Sequence, residues 1–125
     1  YMTYDRLIVD DGQMLDILAV AKKHGALTMI HAENNAMIKW MSGKLIDSGH
    51  SAPKYHALSH PRTAESEAIN RAISLAGFLD APILIVHVST EAGARMIAKA
   101  RYDGRKVFGE TCPQYMFLNA EQIDL

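Results

Sequence analysis

Hydrophobic positions along this chain alternate between a helical period and short unbroken apolar runs. Met14, Ile17, Leu18 and Ala21 recur at i, i+3, i+4 and i+7, with Asp10 or Asp11 placed to cap a helix, Lys22 and Lys23 in its last turn and Gly25 beyond. The run Ala26 to His31 follows as a strand. Met37, Met41 and Leu45 then mark a second helix closing at Gly49, and Met37, Trp40 and Met41 are expected in the core. Between Gly49 and Arg62 the pattern breaks down into an irregular stretch holding Pro53, Pro61, His50, His56 and His60. Thr63 is placed to cap a third helix, with Glu65 and Glu67 near the positive end of its dipole and Ile69, Ala72, Ile73 and Ala76 facing the sheet. Pro82 introduces a strand over Ile83 to Val88, whose apolar continuity predicts cover on both faces. Ser89 or Thr90 caps a fourth helix packing through Met96, Ile97 and Ala100. Gly104 ends it, and Lys106 to Glu110 supplies a last strand before the loop Thr111 to Tyr115.

Strand, helix, strand, helix, strand in one register predicts an α/β fold with a parallel sheet, either open or closed into a barrel. Neither the G-x-G-x-x-G of a dinucleotide-binding turn nor the G-x-x-x-x-G-K-[ST] of a phosphate loop occurs, and Gly43-Lys44 lacks the rest of the latter. Metal-assisted chemistry therefore gains on nucleotide chemistry.

The 125 residues carry 13 Lys plus Arg against 14 Asp plus Glu, so no basic stripe stands ready for phosphates and nucleic acid is not an expected partner. No apolar run approaches the roughly 18 residues needed to span a bilayer, so no membrane partner is expected. Cys112, the single cysteine, cannot pair internally, and a cytoplasmic location is the default expectation. The chain opens on Tyr1-Met2-Thr3-Tyr4 and stops at Leu125 after a strand and loop, and residues 1–125 are read as an interior piece of a larger protein.

The most chemical feature is a pair. His31 and His87 each close an apolar run and stand 56 residues apart, room for one strand-to-strand step with helices between. A single histidine at a strand end is usually packed or hydrogen-bonded, but two at the C-terminal ends of parallel strands are where such folds place metal ligands, and neutral imidazoles suit zinc. His24, in the last turn of the first helix, complements its dipole and is left out of the site. His50, His56 and His60 are spread over an irregular stretch and are read as lacking the i, i+4 or H-x-H spacing that would aim two imidazoles at one ion, so at most one is expected to touch a ligand. Cys112 beside Pro113, with no base identified nearby, reads as a small buried residue. Glu110 could face the site or pair with a cation.

Three separated motifs, His31-Ala32-Glu33-Asn34, Ile85-Val86-His87-Val88-Ser89 and Gly109-Glu110-Thr111-Cys112-Pro113-Gln114-Tyr115, together resemble the dihydropyrimidinase and hydantoinase family of cyclic amidohydrolases. The likeness extends through Tyr55-His56-Ala57, Pro61 and Glu65 to Arg71, and to the opening Tyr1 to Asp5. It implies a (β/α)8 TIM-type barrel of which this chain is the central portion, about strands 4 to 7. It also implies two zinc ions bridged by a carboxylated lysine outside this sequence, with hydroxide between them attacking the ring amide. By the same resemblance His31 closes the fifth barrel strand and His87 the sixth, both as ligands of the more exposed metal. Tyr4, just past the fourth strand, would hydrogen-bond the substrate and developing oxyanion. The partner would be a small cyclic amide, a 5,6-dihydropyrimidine or 5-substituted hydantoin, and the assembly a homotetramer. Gln114 stands where the related allantoinases are expected to carry histidine. His87 stands where non-catalytic dihydropyrimidinase-related proteins are expected to have lost it. Two imidazoles cannot hold a binuclear site, so the 125 residues alone are expected to be inactive and, with unpaired strand edges, to fold poorly.

Overall fold

The order of elements follows the hydrophobic pattern closely. The structure, a computed structural model, describes residues 6–119 and 122. Three strands, β1 (Thr28–Ile30), β2 (Ile83–Ile85) and β3 (Val107–Gly109), form a parallel sheet in the order β1-β2-β3. Register pairs Thr28 with Ile83 and Ile30 with Ile85, then Ile83 with Val107 and Ile85 with Gly109. Among the described residues five α-helices accompany it: α1 (Asp11–Lys23), α2 (Asn35–Asp47), the single turn α3 (His56–Ser59), α4 (Arg62–Leu79) and α5 (Glu91–Tyr102).

Capping explains where these helices start. Asp10 accepts from the Gln13 N–H while the Gln13 side chain reaches back to the Asp10 N–H, a reciprocal box at the start of α1. Asn34 caps α2 through the Met37 N–H and Thr90 caps α5 through the Gly93 N–H. The third predicted cap is not where the sequence suggested. Helix α4 begins at Arg62 behind Pro61, which has no side chain to donate or accept, and Thr63 lies inside the helix.

Side chains at alternate strand positions sort the sheet into two unlike faces. Thr28, Ile30, Ile83, Ile85 and Val107 are buried against Met14 and Leu18 of α1, Ala68, Ile69, Ala72 and Ala76 of α4, and Ile97 and Ala100 of α5. Met29 and Phe108, on the opposite face, are 53% and 43% exposed, and Leu84 between them is half-buried. The continuous apolar run in β2 thus predicted cover on both faces, whereas helices pack on one. Trp40 is also corrected: it lies 64% exposed with the Lys44 ammonium 5.8 Å from its ring, and Ile38 is the residue α2 buries. Met37, Met41 and Leu45 are half-buried on the same face as Ile38, so the helical period marked the right stripe and Trp40 alone falls off it.

Candidate metal centre

Residues following all three strands line one cavity of about 600 Å³, among them His31 and Glu33 after β1, His87 and Ser89 after β2 and Tyr115 farther on after β3, with His56, His60, Arg62 and Glu65 between. His31 follows β1 directly, and His87 stands two residues past the end of β2, which is shorter than the predicted strand to Val88. The two rings meet there. His31 Nδ1 lies 2.5 Å from His87 Nε2, with ring centroids 4.5 Å apart and planes inclined at 69°.

The backbone that delivers His87 is strained. Its φ of 44° is left-handed, a region that costs a non-glycine residue about 1–3 kcal/mol and persists only where the surroundings over-determine it. They do so here. The Val86 N–H donates to Ile30 O of β1, and the Val88 N–H donates to Glu110 O beyond β3, so His87 is gripped between hydrogen bonds to opposite neighbours. Ser89 then donates both its N–H and its hydroxyl to Glu65 Oε1.

On its far side His31 Nε2 lies 3.2 Å from Glu33 Oε2. The hydrogen bond with His31 holds the Glu33 carboxyl below the usual carboxylate range against the opposing effect of burial, and the nearby His60, His31 and His87 rings add to it. A carboxylate at one ring nitrogen fixes the tautomer and leaves the other nitrogen's lone pair available, the usual support of a metal-bound imidazole. Residues present therefore fit zinc in chemistry: two convergent imidazole nitrogens, one of them oriented by a carboxylate. They fall short in number, since among the described residues no group of three or more His, Cys, Asp or Glu could hold a metal ion.

Known proteins resemble the chain along its whole length. No protein-family model matches the chain. A D-hydantoinase of Geobacillus stearothermophilus is 41% identical over 125 residues, 99% of this chain and 26% of that protein. A D-phenylhydantoinase of Escherichia coli O1:K1 / APEC is 42% identical, over 99% of this chain and 27% of the relative. In three dimensions the crystal structure of dihydropyrimidinase from Brevibacillus agri NCHU1002 superposes with a TM-score of 0.94 at 39% identity, over 99% of this chain and 27% of that one. The chain belongs to the dihydropyrimidinase and hydantoinase family. It spans about a quarter of the length of the hydantoinases it matches.

Within this hydantoinase-family chain, the structure brings His31 and His87 together as the sequence led one to expect of a pair. Tyr4, the expected phenol, lies outside the described residues. Another phenol, Tyr115, lines the cavity, and burial, the neighbouring Cys112 thiol and the Glu33 and Glu65 carboxyls all push its ionisation upward, so it stays protonated at neutral pH. Cys112 is half-buried beside it. Glu110 bonds through its backbone, to Ile85 O and from the Val88 N–H, and it does not line the cavity.

Sequence reading undervalued three of the lining residues. The 49–62 stretch is not irregular throughout: Pro53–Tyr55 forms a 3₁₀ turn and His56–Ser59 a helical one. The expectation that no i, i+4 histidine pair occurs here is wrong: His56 and His60 are four residues apart, the helical turn brings their ring centroids to 4.1 Å, and both line the cavity. Glu65, expected only near the positive end of the helix dipole, is 6% exposed and lines the cavity. The signal was present, because Glu65 precedes Ala68 and Ile69 by three and four residues and so lies on the apolar stripe of α4.

Proposed function

We propose that the protein carrying these 125 residues hydrolyses a cyclic amide, opening 5,6-dihydropyrimidines or 5-substituted hydantoins, and that His31 and His87 hold part of a two-zinc centre in it. The observation that supports this most is the meeting of His31 Nδ1 and His87 Nε2 past adjacent parallel strands, in a chain that matches hydantoinases along its whole length. On this reading β1 and β2 are the fifth and sixth strands of a (β/α)8 barrel, whose chemistry lies at the C-terminal face. The remaining ligands, including the carboxylated bridging lysine, come from outside residues 1–125.

When bound, zinc would supply Lewis acidity that lowers the pKa of water to about 7 and polarises the amide carbonyl, which is otherwise a poor electrophile. This chain's own residues do the rest of the positioning. Glu33 orients the His31 ring. By family resemblance Tyr4 would donate toward the oxygen on which negative charge develops, and the protonated Tyr115 lining the cavity is a second candidate donor, a contribution worth roughly 3 kcal/mol for one such donor. The 600 Å³ cavity has room for a five- or six-membered ring. Its partner is a small molecule, its location cytoplasmic and its assembly a homotetramer.

Ring opening of 5,6-dihydrouracil, a 5-substituted hydantoin and allantoin by the full-length enzyme, before and after metal stripping, tests the proposal. Zinc-dependent opening of either of the first two supports it. Turnover of allantoin alone would move the protein to the neighbouring branch, and no turnover with no bound metal would make it a non-catalytic relative.

A further inference from the structure

Helix α4 connects the two histidine-bearing strands, and its first turns carry two carboxyl groups that each fasten one of the loops following those strands. Glu67 Oε2 accepts from Asn34 Nδ2 at 2.6 Å, and the Asn34 N–H donates to Ala64 O at 3.0 Å, which ties down the loop after His31. Glu65 does the same after His87. Its Oε1 accepts from the Ser89 N–H at 2.7 Å and the Ser89 hydroxyl at 2.9 Å.

Glu65 is the unusual member of this pair. It is only 6% exposed, and its Oε2 is buried with no hydrogen-bond partner among the described residues. Burying a carboxyl with an oxygen unmatched is costly, so a merely structural position would be better filled by an apolar residue. What compensates it is local. A Cβ built on Gly93 would stand 3.3 Å from Oε2, so this oxygen lies against the first turn of α5, where the helix dipole favours negative charge.

We propose that Glu65 is a positioning residue for His87. Through Ser89 it holds the Val86 to Thr90 segment in the conformation that forces φ of 44° at His87 and turns that imidazole onto His31. The inference rests on the reading of His31 and His87 as a metal pair. It is distinct from the helix-dipole role that the sequence suggested, because the receptor of the carboxyl is the loop on the next strand and not α4 itself.

The experiment uses the full-length enzyme and the variants E65A, E65Q and E65D, with zinc affinity measured by chelator competition and amide exchange followed across residues 86–90. Gln keeps an oxygen that accepts both Ser89 donors, whereas Ala removes it. E65A is expected to weaken zinc binding about 10- to 100-fold, the usual effect of removing a group that orients a ligand, and to accelerate exchange at Val88 and Ser89. E65Q is expected to stay near the wild type on both measures. Where E65A does not fold, E65D serves, since it withdraws the acceptor by one methylene, and weakened zinc binding is again expected. A lower melting temperature with unchanged zinc affinity and unchanged exchange would overturn the proposal, as would E65Q losing as much affinity as E65A. If the wild type itself binds no zinc, the reading of the metal pair fails, and amide exchange alone still decides whether Glu65 holds the His87 loop.

Discussion

Gly93 sits where α5 crosses α4, and a methyl group there tests how tightly the Glu65 region is packed. A Cβ on Gly93 would lie 2.7 Å from Ile69 Cδ1, 3.1 Å from Thr90 Oγ1 and 3.3 Å from Glu65 Oε2. Ile69 is fully buried, so its Cδ1 cannot swing into open space. Overpacking of this kind costs about 1–3 kcal/mol. Ala gains up to about 1 kcal/mol over Gly in helix propensity, less in a first turn, which leaves a net loss of about 0.5–2 kcal/mol for G93A. I69V deletes the clashing Cδ1 and by itself costs about 0.5–1.5 kcal/mol. The double variant is therefore expected to be less destabilised than the sum, by about 1 kcal/mol of coupling. Thermal unfolding of the metal-free full-length enzyme measures all four species, with a shift of about 1–2 °C per kcal/mol at this size. A G93A protein as stable as its parent, or strictly additive losses in the double variant, would refute the close approach of the two helices.

Two further tests address backbone and charge. In metal-free enzyme H87G is expected to melt above H87A, because Gly adopts a φ of 44° freely while Ala carries a penalty of about 1 kcal/mol net of the extra unfolded-state freedom of Gly; the reverse order would show that the left-handed turn is not enforced. Asp80 caps α4 in a left-handed conformation, and its hydrogen bond and ion pair with Lys106, with Lys22 beyond, hold its carboxyl below the usual range. A depressed folded-state value means that this stabilisation is present above the ordinary carboxylate range and is lost as pH falls through the lower folded value. D80N is accordingly expected to be slightly less stable than the parent near neutral pH and indistinguishable from it once the pH has fallen below the depressed folded-state value; a difference that persists in acid would assign the effect to the turn and not to the charge.

Much of the architecture was legible because period and capping act locally. Met14 and Leu18 on α1, Ile69 and Ala72 on α4, and the Asp10 and Thr90 caps all lie where the apolar spacing put them. Strand ends were read too long at His87 because an apolar run records burial and not φ, and the chain leaves extended conformation at His87 with Val88 still apolar. Trp40 was misplaced because it was grouped with Met37 and Met41, whose stripe it falls off, and α2 turns Ile38 inward. The histidine pair could be read since both residues end apolar runs. For Glu65 and the His56–His60 pair only the spacing shows in the sequence: what makes Glu65 informative is its bond to a serine 24 residues away, and what brings the two rings together is a helical turn inside a proline-bounded loop.

Zinc content of the full-length enzyme, measured alongside ring-opening activity for the wild type, H31A and H87A with circular dichroism as a check on folding, tests the central claim most directly. The account predicts that each variant keeps the wild-type spectrum, loses part of its bound zinc and loses turnover. Full zinc retention with normal activity in either variant would contradict it.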